Sequence, residues 1–551
     1  MSSFPMIDEA RDEKALVEMS STRPGDVKNV DSIPVEELEF ADGFHDAVRL
    51  ATEREHMLTF RQALRLYPAS FFWAIAISFT IIMEGYDTYL LGNFYAYPSF
   101  AKKYGQYQAD SGTWVIPANW QVALSDVGNI GNVVGLLLMG VLTDRFGHRL
   151  VIMAGLLVMV ALNFMTFFAP NVQVLTAAMA LGGIPTGVFG IMGSAYASEV
   201  CPLALRGFLT SFVNICWIIG QLVASGVLEA LVGNPTEWSY RIPFAIEWAW
   251  PVPIFILAIF APDSPWWCVR RGNLAGAEKS LTRLSSGSTS TEIRQTLAMM
   301  VHTDKLEKAV KTEVSMWDCF KGTNLRRTEI ACMVLAAQAL SGESFAYGST
   351  YFFTQAGLSS ADSYKLNFGA SAVAFVATCG SWILMIWFGR RTLILWGFSA
   401  MDLDLLLIGV LSYVNHQAAT WTQAALTVVW LGLYSLTLGP QSFGLAAEVS
   451  ATRLRSQTVS LARLTYQLAS LVTNTIEPYL INPTAADLKG KTAFVWFGIS
   501  VLTIAWCAFR MPETKGITYT EMDILFEKRT PAWRFKQAKV DVVDERHHGD
   551  A

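Results

Sequence analysis

Long stretches of apolar residues constrain the fold of this chain more than any other feature. A membrane interior about 30 Å thick requires about 20 apolar residues per helix. Charged residues make up only 16% of the 551 residues, whereas soluble domains average about 25%. We therefore predict an all-α membrane protein with twelve transmembrane helices. The predicted spans are about 69–92, 121–142, 150–168, 173–196, 208–230, 243–261, 329–353, 366–388, 393–413, 421–445, 457–480 and 492–510.

The two halves of the chain repeat the same polar motifs. Glu199 and Arg206 recur as Glu448 and Arg455, 249 residues further along. A Pro-Asp-Ser-Pro motif at 262–265 follows the first six apolar stretches, and a Pro-Glu-Thr-Lys motif at 512–515 follows the last six. A repeat this long in an apolar chain is typical of a duplicated transporter, whose substrate binds where the repeats meet. We expect two pseudo-symmetric bundles of six helices each.

Basic residues indicate how the chain is oriented. Cytosolic loops of membrane proteins are enriched in Lys and Arg, and such residues follow the second, eighth and twelfth spans and flank the central loop. An even number of spans then places both termini in the cytosol, and we expect the plasma membrane as the location. The predicted domains are a disordered N-terminal tail 1–67, an N-terminal bundle 68–269, a cytosolic central loop with short helices 270–328, a C-terminal bundle 329–511 and a cytosolic tail 512–551.

Composition also argues against several function classes. A net charge of −5 gives no reason to expect a nucleic-acid partner. The seven cysteines follow no metal-ligand or disulfide spacing, so we expect reduced thiols. No pattern in the sequence indicates a nucleophile with its base, a phosphate-binding loop or a metal cluster. The sequence therefore predicts no enzyme, no cofactor and no metal.

Charged residues at the cytosolic ends of the spans form a candidate gate. Ion pairs in water are only weakly stabilising, which suits a latch that must break when the inner gate opens. Alternatively, these charges only fix the topology. The copy of the first-half motif near Gly389 has Ile386 in place of the first-half aspartate, so we expect an asymmetric latch. The candidate gating residues are Asp144, Arg145, Arg149, Glu199, Arg206, Glu448 and Arg455.

The first span carries two acids, Glu84 and Asp87. Their spacing of three places them on one helical face. A charge inside a span is costly, so each is a functional candidate. Two neighbouring carboxylates in a low dielectric resist being ionised together, which suits a proton carrier, although a static hydrogen-bonded acid is the alternative. We hypothesise that Arg463, early in the eleventh span, is the cation that senses their protonation state.

Several motifs resemble those of known transporters. The run Gly140-x3-Asp144-Arg145-x-Gly147-His148-Arg149 resembles the signature after the second span of the major facilitator superfamily. Segments 262–267 and 512–516 resemble its sugar porter family, and segments 84–88 and 196–206 are most similar to fungal α-glucoside (maltose-type) proton symporters. The resemblance covers about 65–540. It implies the major facilitator fold, and uptake of a maltose-like sugar with protons by alternating access.

The resemblance also implies roles for single residues. Asp87 matches the proton-coupling acid, and Glu84 is an additional acid typical of the α-glucoside subgroup. Amides and hydroxyls both donate to and accept from sugar hydroxyls, although hydrogen bonding between helices is the alternative role for any one amide. The positions that the resemblance places in the sugar cavity are Asn214, Gln221, Gln338, Ser344, Phe443, Tyr466 and Gln467.

Two departures from the family pattern leave the transport mode open. Met179 stands where many proton-coupled sugar porters carry an arginine, and Asn132 where α-glucoside transporters often carry a glutamate. Facilitated diffusion of another sugar and export of a polar or glycosylated metabolite are therefore alternatives, and a sugar sensor is a remote one. Glu343 has no assigned role. The expected partners are a sugar, protons and the lipid bilayer, and we expect a monomer.

Overall fold

The structure, a computed structural model, describes residues 44–109, 112–311, 316–414, 416–451, 454–515, 517 and 519–535. Most of the predicted N-terminal tail and the end of the chain lie outside these residues. The Arg206 backbone is helical, but its side chain is also outside the described part. Within the described residues, eleven helices are long and apolar enough to cross a membrane. Helix Arg455–Ile481 has the length, 27 residues, but is more polar, and it completes the predicted set of twelve.

The helices follow one another in the predicted order, and we number the spans first to twelfth. A short helix Pro98–Tyr104 and an antiparallel hairpin of Gln106–Gln108 with Thr113–Val115 connect the first two spans. The spans are Pro68–Phe94, Ala118–Phe146, His148–Phe167, Val172–Val200, Leu203–Leu231, Trp238–Ile246 with Pro251–Phe260, Gly322–Gln338 with Ser344–Tyr347 and Ser349–Gln355, Ser360–Trp387, Arg390–Leu411, Gln417–Leu436 with Leu438–Val449, Arg455–Ile481 and Thr492–Arg510.

The sixth and seventh spans are interrupted near their middles. In the sixth span, a 3-10 turn at Glu247–Ala249 precedes Pro251, where the helix restarts because proline fits the first helical position. In the seventh span, a π-helical segment Ala339–Glu343 contains Gly342 at a φ of 91°. Residues with a Cβ rarely adopt this conformation. The 3-10 turn tightens the sixth span and the π-helical segment widens the seventh, and each contains a buried acid, Glu247 and Glu343 respectively.

The glycine-rich motifs of the fourth and tenth spans have different structural consequences. In the tenth span the helix breaks at Thr437, just before Gly439-Pro440. The fourth span stays continuous through Pro185. There a Cβ at Gly183 would collide with the backbone of the second span, so the small residue allows close helix packing.

Residues 44–71, 199–205 and 262–309 form a compact unit of their own. Its helices are Phe44–Met57, Phe60–Leu66, Pro265–Arg270, Leu274–Leu284 and Ser290–Lys311. The last two lie within 270–328, the central loop for which short helices were predicted. The prediction of a disordered tail up to residue 67 is wrong for residues 44–66, because Ala47 packs with Leu281 and Leu297 in a buried apolar cluster.

The cysteines are free thiols throughout the described residues. In the compact unit just described, burial raises the pKa of the Cys268 thiol to about 11, and the nearby Asp263 carboxylate adds to this effect. A thiol with so high a pKa stays protonated and unreactive.

The remaining described residues form a second unit that contains most of the spans. Two large buried apolar clusters help to stabilise it, one drawn mainly from each half of the chain. The first-half cluster includes Phe94, Phe100 and Phe244. The second-half cluster includes Trp430 and Trp496, both no more than 1% exposed. Polar side chains near the centre of the spans are therefore held in positions that the surrounding apolar packing fixes.

Candidate functional site

The Asp87 carboxyl group lies against a second acid, Glu247, in the interrupted sixth span. The two carboxyl groups are within hydrogen-bonding range of each other. Neighbouring contacts hold the two spans together, because the Tyr86 hydroxyl donates to the Pro243 carbonyl oxygen at 2.9 Å and the Tyr86 and Trp250 ring centroids are 6.2 Å apart. A hydrogen bond between two carboxyl groups requires a proton on one of them. The geometry therefore suits a pair that shares one proton.

Glu247 was not among the residues predicted from the sequence. It is only 2% exposed, and its Oε1 atom has no hydrogen-bond donor among the described residues. The signal that could have found it is the same one that selected Glu84 and Asp87, namely an acid inside an apolar span.

Glu84 faces other neighbours. Its carboxyl oxygens lie against Gly190 of the fourth span, where a Cβ would collide with them. Arg463 of the eleventh span is close enough to attract the Glu84 carboxylate, and Asp87 is close enough to repel it. The Arg463 guanidinium lies over the Phe443 ring, 5.6 Å from its centroid. The structure thus brings the three residues of the predicted proton-coupling set into one electrostatic neighbourhood.

Several predicted sugar-binding side chains meet at the π-helical segment of the seventh span. The Tyr434 hydroxyl lies 3.0 Å from Gln338 Oε1 and 3.2 Å from Glu343 Oε1. The Tyr466 hydroxyl donates to Glu343 Oε1 at 3.2 Å. Gln338 Nε2 is buried without a partner in the described part of the chain. Glu343, which had no assigned role, is therefore held by tyrosine hydroxyls of the tenth and eleventh spans.

Aromatic side chains connect this group to the first half of the chain. Gln221 of the fifth span lies near the Tyr347 hydroxyl. The Tyr347 ring packs edge-on against Tyr89 at 6.4 Å, Trp217 at 6.1 Å and Tyr434 at 6.2 Å between centroids. Sequence reasoning missed these aromatic residues, because aromatics are common in every span. Aromatic faces of this kind can pack against a pyranose ring, and the tyrosine hydroxyls can hydrogen-bond to its hydroxyl groups.

Three other predicted sugar-binding residues have less distinctive surroundings. The Ser344 hydroxyl hydrogen-bonds to Thr473 at 2.9 Å and to Asn474 at 2.7 Å. This is the interhelical role that was the alternative for such residues. Asn214 and Gln467 are half-buried in the fifth and eleventh spans.

The internal repeat is visible in hydrogen bonds at the Gly147 and Gly389 turns. Arg149 donates to the Ile259 carbonyl oxygen at 2.5 Å, near the end of the sixth span. Arg391 donates to the Ala508 carbonyl oxygen at 2.5 Å, near the end of the twelfth span. Each arginine therefore ties the start of the third helix of its half to the end of the sixth.

The two gating glutamates pair with arginines outside the predicted gating set. Glu199 binds Arg270 at 2.6 Å, within the compact unit that contains both residues. Glu448 binds Arg390 at 3.2 Å. In both ion pairs the arginine comes from the same half of the chain as the glutamate. The role of these glutamates in a latch between the halves stays a prediction.

The other candidate gating residues lie near these turns. Asp144 and Arg145 are exposed, and the Arg145 guanidinium lies 5.6 Å from the Phe146 ring centroid. Arg455 begins the eleventh span. Their expected roles in the gate stay predictions.

Polar contacts join the two halves at the end opposite the Gly147 and Gly389 turns. The Tyr89 hydroxyl donates to Asn367 Oδ1 at 2.6 Å. Asn93 Oδ1 accepts from the Thr350 hydroxyl at 2.6 Å and from Asn367 Nδ2 at 3.0 Å. The contacts connect the first span with the seventh and eighth. This end is therefore closed in the structure.

The repeated halves, the closed end and the buried acids and tyrosines together define a transporter of the major facilitator type. Solved structures agree with this class. The inward-open xylose transporter XylE of Escherichia coli matches with a TM-score of 0.68 at 19% identity, over 83% of this chain and 99% of that chain. The proton:xylose symporter XylE bound to 6-bromo-6-deoxy-D-glucose matches with a TM-score of 0.65 at 19% identity, over the same shares.

Sequence comparisons identify the family. The profile described as "Sugar (and other) transporter" matches residues 73–526, and the chain belongs to that family. Maltose permease MAL31 of Saccharomyces cerevisiae is 35% identical over 500 residues, covering 89% of this chain and 81% of the permease. A general alpha-glucoside permease of the same yeast is 33% identical over 503 residues, covering 90% and 81%. The predicted family and the predicted fold class are confirmed.

Proposed function

We propose that this protein couples proton entry to the uptake of an α-glucoside disaccharide such as maltose. The observation that carries the proposal is the pair of carboxyl groups of Asp87 and Glu247, placed inside the spans beside Glu84 and Arg463. A group that takes up and releases one proton within the membrane is what a proton symporter requires. Similarity to yeast maltose and alpha-glucoside permeases supports the substrate class.

Sugar binding is assigned to the polar and aromatic side chains between the halves. Gln221 and Gln338 supply amide groups, and Tyr347, Tyr434 and Tyr466 supply rings and hydroxyls. Gln338 Nε2 is buried without a partner among the described residues, so it has a donor available for a sugar hydroxyl. An unpaired buried donor costs about 1–3 kcal/mol, and a bound sugar relieves this cost.

Alternating access follows from the contacts at the two ends of the bundles. With the end near Asn93 closed, the opposite end is the one through which sugar leaves. For the end near Asn93 to open, the contacts from Tyr89 and Asn93 to Asn367 must break. The ion pair between Glu448 and Arg390 is partly exposed and weak enough to adjust as the halves tilt. Its role is to hold the ends of the helices within one half together during this motion.

The proposed cellular arrangement follows the distribution of basic residues. The protein lies in the plasma membrane as a monomer, and both termini are cytosolic. Lipid surrounds the two bundles at 68–269 and 329–511, and the central segment 270–328 is in the cytosol. The proposal includes no catalytic activity and no cofactor, because the chemistry of the site consists of proton binding and sugar recognition.

Uptake into yeast that lacks its own sugar transporters tests this function. Labelled maltose, sucrose, trehalose and glucose are supplied with and without a protonophore. We expect maltose to accumulate above its external concentration, and the protonophore to abolish the accumulation. Accumulation of none of these sugars in cells that display the protein at the plasma membrane would contradict the proposal.

Facilitated diffusion is the second candidate function. Two departures from the family pattern favour it. Met179 stands where many proton-coupled sugar porters carry an arginine, and Asn132 stands where α-glucoside transporters often carry a glutamate. In that case maltose uptake would stop at equal internal and external concentrations and would not respond to the protonophore.

Export of a polar or glycosylated metabolite would instead appear as faster efflux than uptake in the same cells.

A further inference from the structure

A basic pocket lies at the ends of the seventh and twelfth spans, away from the sugar site. Its volume is about 500 Å³. Three arginines and three aromatic side chains are among the residues that line it. The lining residues are Gly322, Thr323, Arg326, Phe509, Arg510, Phe526, Arg529, Pro531, Ala532 and Trp533.

The charges in this pocket are not balanced. Arg510 forms an ion pair with Glu329. Arg326 donates to the Thr530 carbonyl oxygen at 3.0 Å, but its Nε atom is buried without a partner in the described residues. Arg326 and Arg510 are close enough to repel each other, and Arg529 is exposed. The charged residues that line the pocket are all arginines, and Glu329, which pairs with Arg510, is not among them, so the lining is positive.

Aromatic residues mark the pocket as a membrane-interface site. Phe509, in the last turn of the twelfth span, is 66% exposed, and Trp533 is 54% exposed. Tryptophan and arginine at the end of a span are typical of the level of lipid headgroups. The Arg326 guanidinium lies 5.3 Å from the centroid of the Phe526 ring, so cationic and aromatic groups are adjacent in the pocket lining.

The start of the seventh span adds further donors. Helix Gly322–Gln338 begins at the pocket, and no side chain caps its first turn. Backbone N–H groups at such a helix end favour anions. Gly322 and Thr323 of this first turn line the pocket together with the arginines. The cationic side chains and the helix end therefore favour the same type of ligand.

We propose that this pocket binds the phosphorylated headgroup of an anionic phospholipid. Guanidinium groups match phosphoryl oxygens in geometry and charge, and the exposed Phe509 and Trp533 are placed to contact the glycerol and upper acyl chains. Under the proposed orientation the lipid comes from the cytosolic leaflet, which is rich in anionic lipids. The bound headgroup joins the seventh and twelfth spans to the segment after residue 519. The site is independent of the sugar and of proton coupling.

Native mass spectrometry of the full-length protein in an uncharged detergent tests the proposal. Phosphatidylinositol 4-phosphate, phosphatidylserine and phosphatidylcholine are titrated separately, and inorganic phosphate is titrated alone. The variants are Arg529→Gln and Arg326→Gln, and Arg534→Gln is the matched control because it is exposed nearby but does not line the pocket. Arg529→Gln is the safer variant, since Arg326 also donates to the backbone.

We expect the two anionic lipids to bind and phosphatidylcholine not to bind. Each pocket variant should weaken anionic lipid binding about fivefold, which corresponds to the contribution of one basic residue at an anionic surface. Arg534→Gln should leave binding unchanged. Equal weakening by all three variants, or by none, would overturn the site. Binding of inorganic phosphate as tight as that of the lipids would overturn the assignment to a lipid.

Discussion

Replacing Asp87 with asparagine removes one titratable carboxyl group from the Asp87–Glu247 pair and keeps the shape of the side chain. Asparagine is nearly isosteric with aspartate, and its amide still donates to the Glu247 carboxylate, with which Asp87 is in hydrogen-bonding range. The first and sixth spans should therefore stay together, since Tyr86 still contacts Pro243. What is lost is a group that binds and releases H⁺ at this position.

The size of the effect follows from the driving force. A proton entering down 100 mV releases about 2.3 kcal/mol, and one unit of pH difference adds about 1.4 kcal/mol. For one proton per sugar, the sum of about 3.7 kcal/mol supports an accumulation of about 500-fold. Without coupling, the concentrations inside and outside become equal. Asp87→Asn should therefore reduce the accumulation ratio from hundreds to one.

The assay uses labelled maltose in vesicles or yeast with an imposed pH gradient and membrane potential. Exchange of internal for external maltose, which needs no proton movement, should persist in Asp87→Asn. Asp126→Asn is the control, because Asp126 is an acid of the second span that accepts from the Thr475 hydroxyl at 2.5 Å, and it should accumulate maltose normally. Accumulation by Asp87→Asn above equilibrium would refute the reasoning. Loss of exchange in a folded protein would show that Asp87 binds sugar instead.

Other substitutions test separate parts of the structure. Arg463→Ala should impair uphill transport more than sugar binding, because Arg463 attracts Glu84; equal loss of both would show a sugar contact. Tyr89→Phe removes a hydroxyl that donates to Asn367 at 2.6 Å. Since one hydrogen bond contributes about 1 kcal/mol, the closed end should open about fivefold more often. The rate at which an impermeant thiol reagent labels Gly92→Cys measures this opening, and an unchanged rate would contradict the prediction. Gly183→Ala should destabilise the protein by about 1–3 kcal/mol through overpacking, which lowers the Tm. The control Gly182→Ala should leave the Tm unchanged, because a Cβ there meets no neighbour within 4 Å. Equal Tm values for the two variants would reject the close packing.

Local sequence patterns determined the spans, the repeat and part of the site. Each apolar stretch is long enough to cross a bilayer by itself, so its existence does not depend on its neighbours. The spacing of Glu84 and Asp87 places both on one face of any helix that contains them. The break near Gly439-Pro440 was also predictable, because proline disrupts the backbone hydrogen bonds of the preceding turn.

Only the tertiary structure decided which residues face each other. Glu247 is 160 residues from Asp87 in the sequence, and their approach depends on how two helices rotate and pack around Tyr86. The arginines that bind Glu199 and Glu448 also come from other segments. The ordered helix after residue 43 needed an apolar cluster that the central segment supplies. Helix formation depends on local sequence. Which helices pack together depends on side-chain contacts between distant segments, and the periodicity of one segment gives no information about its partner.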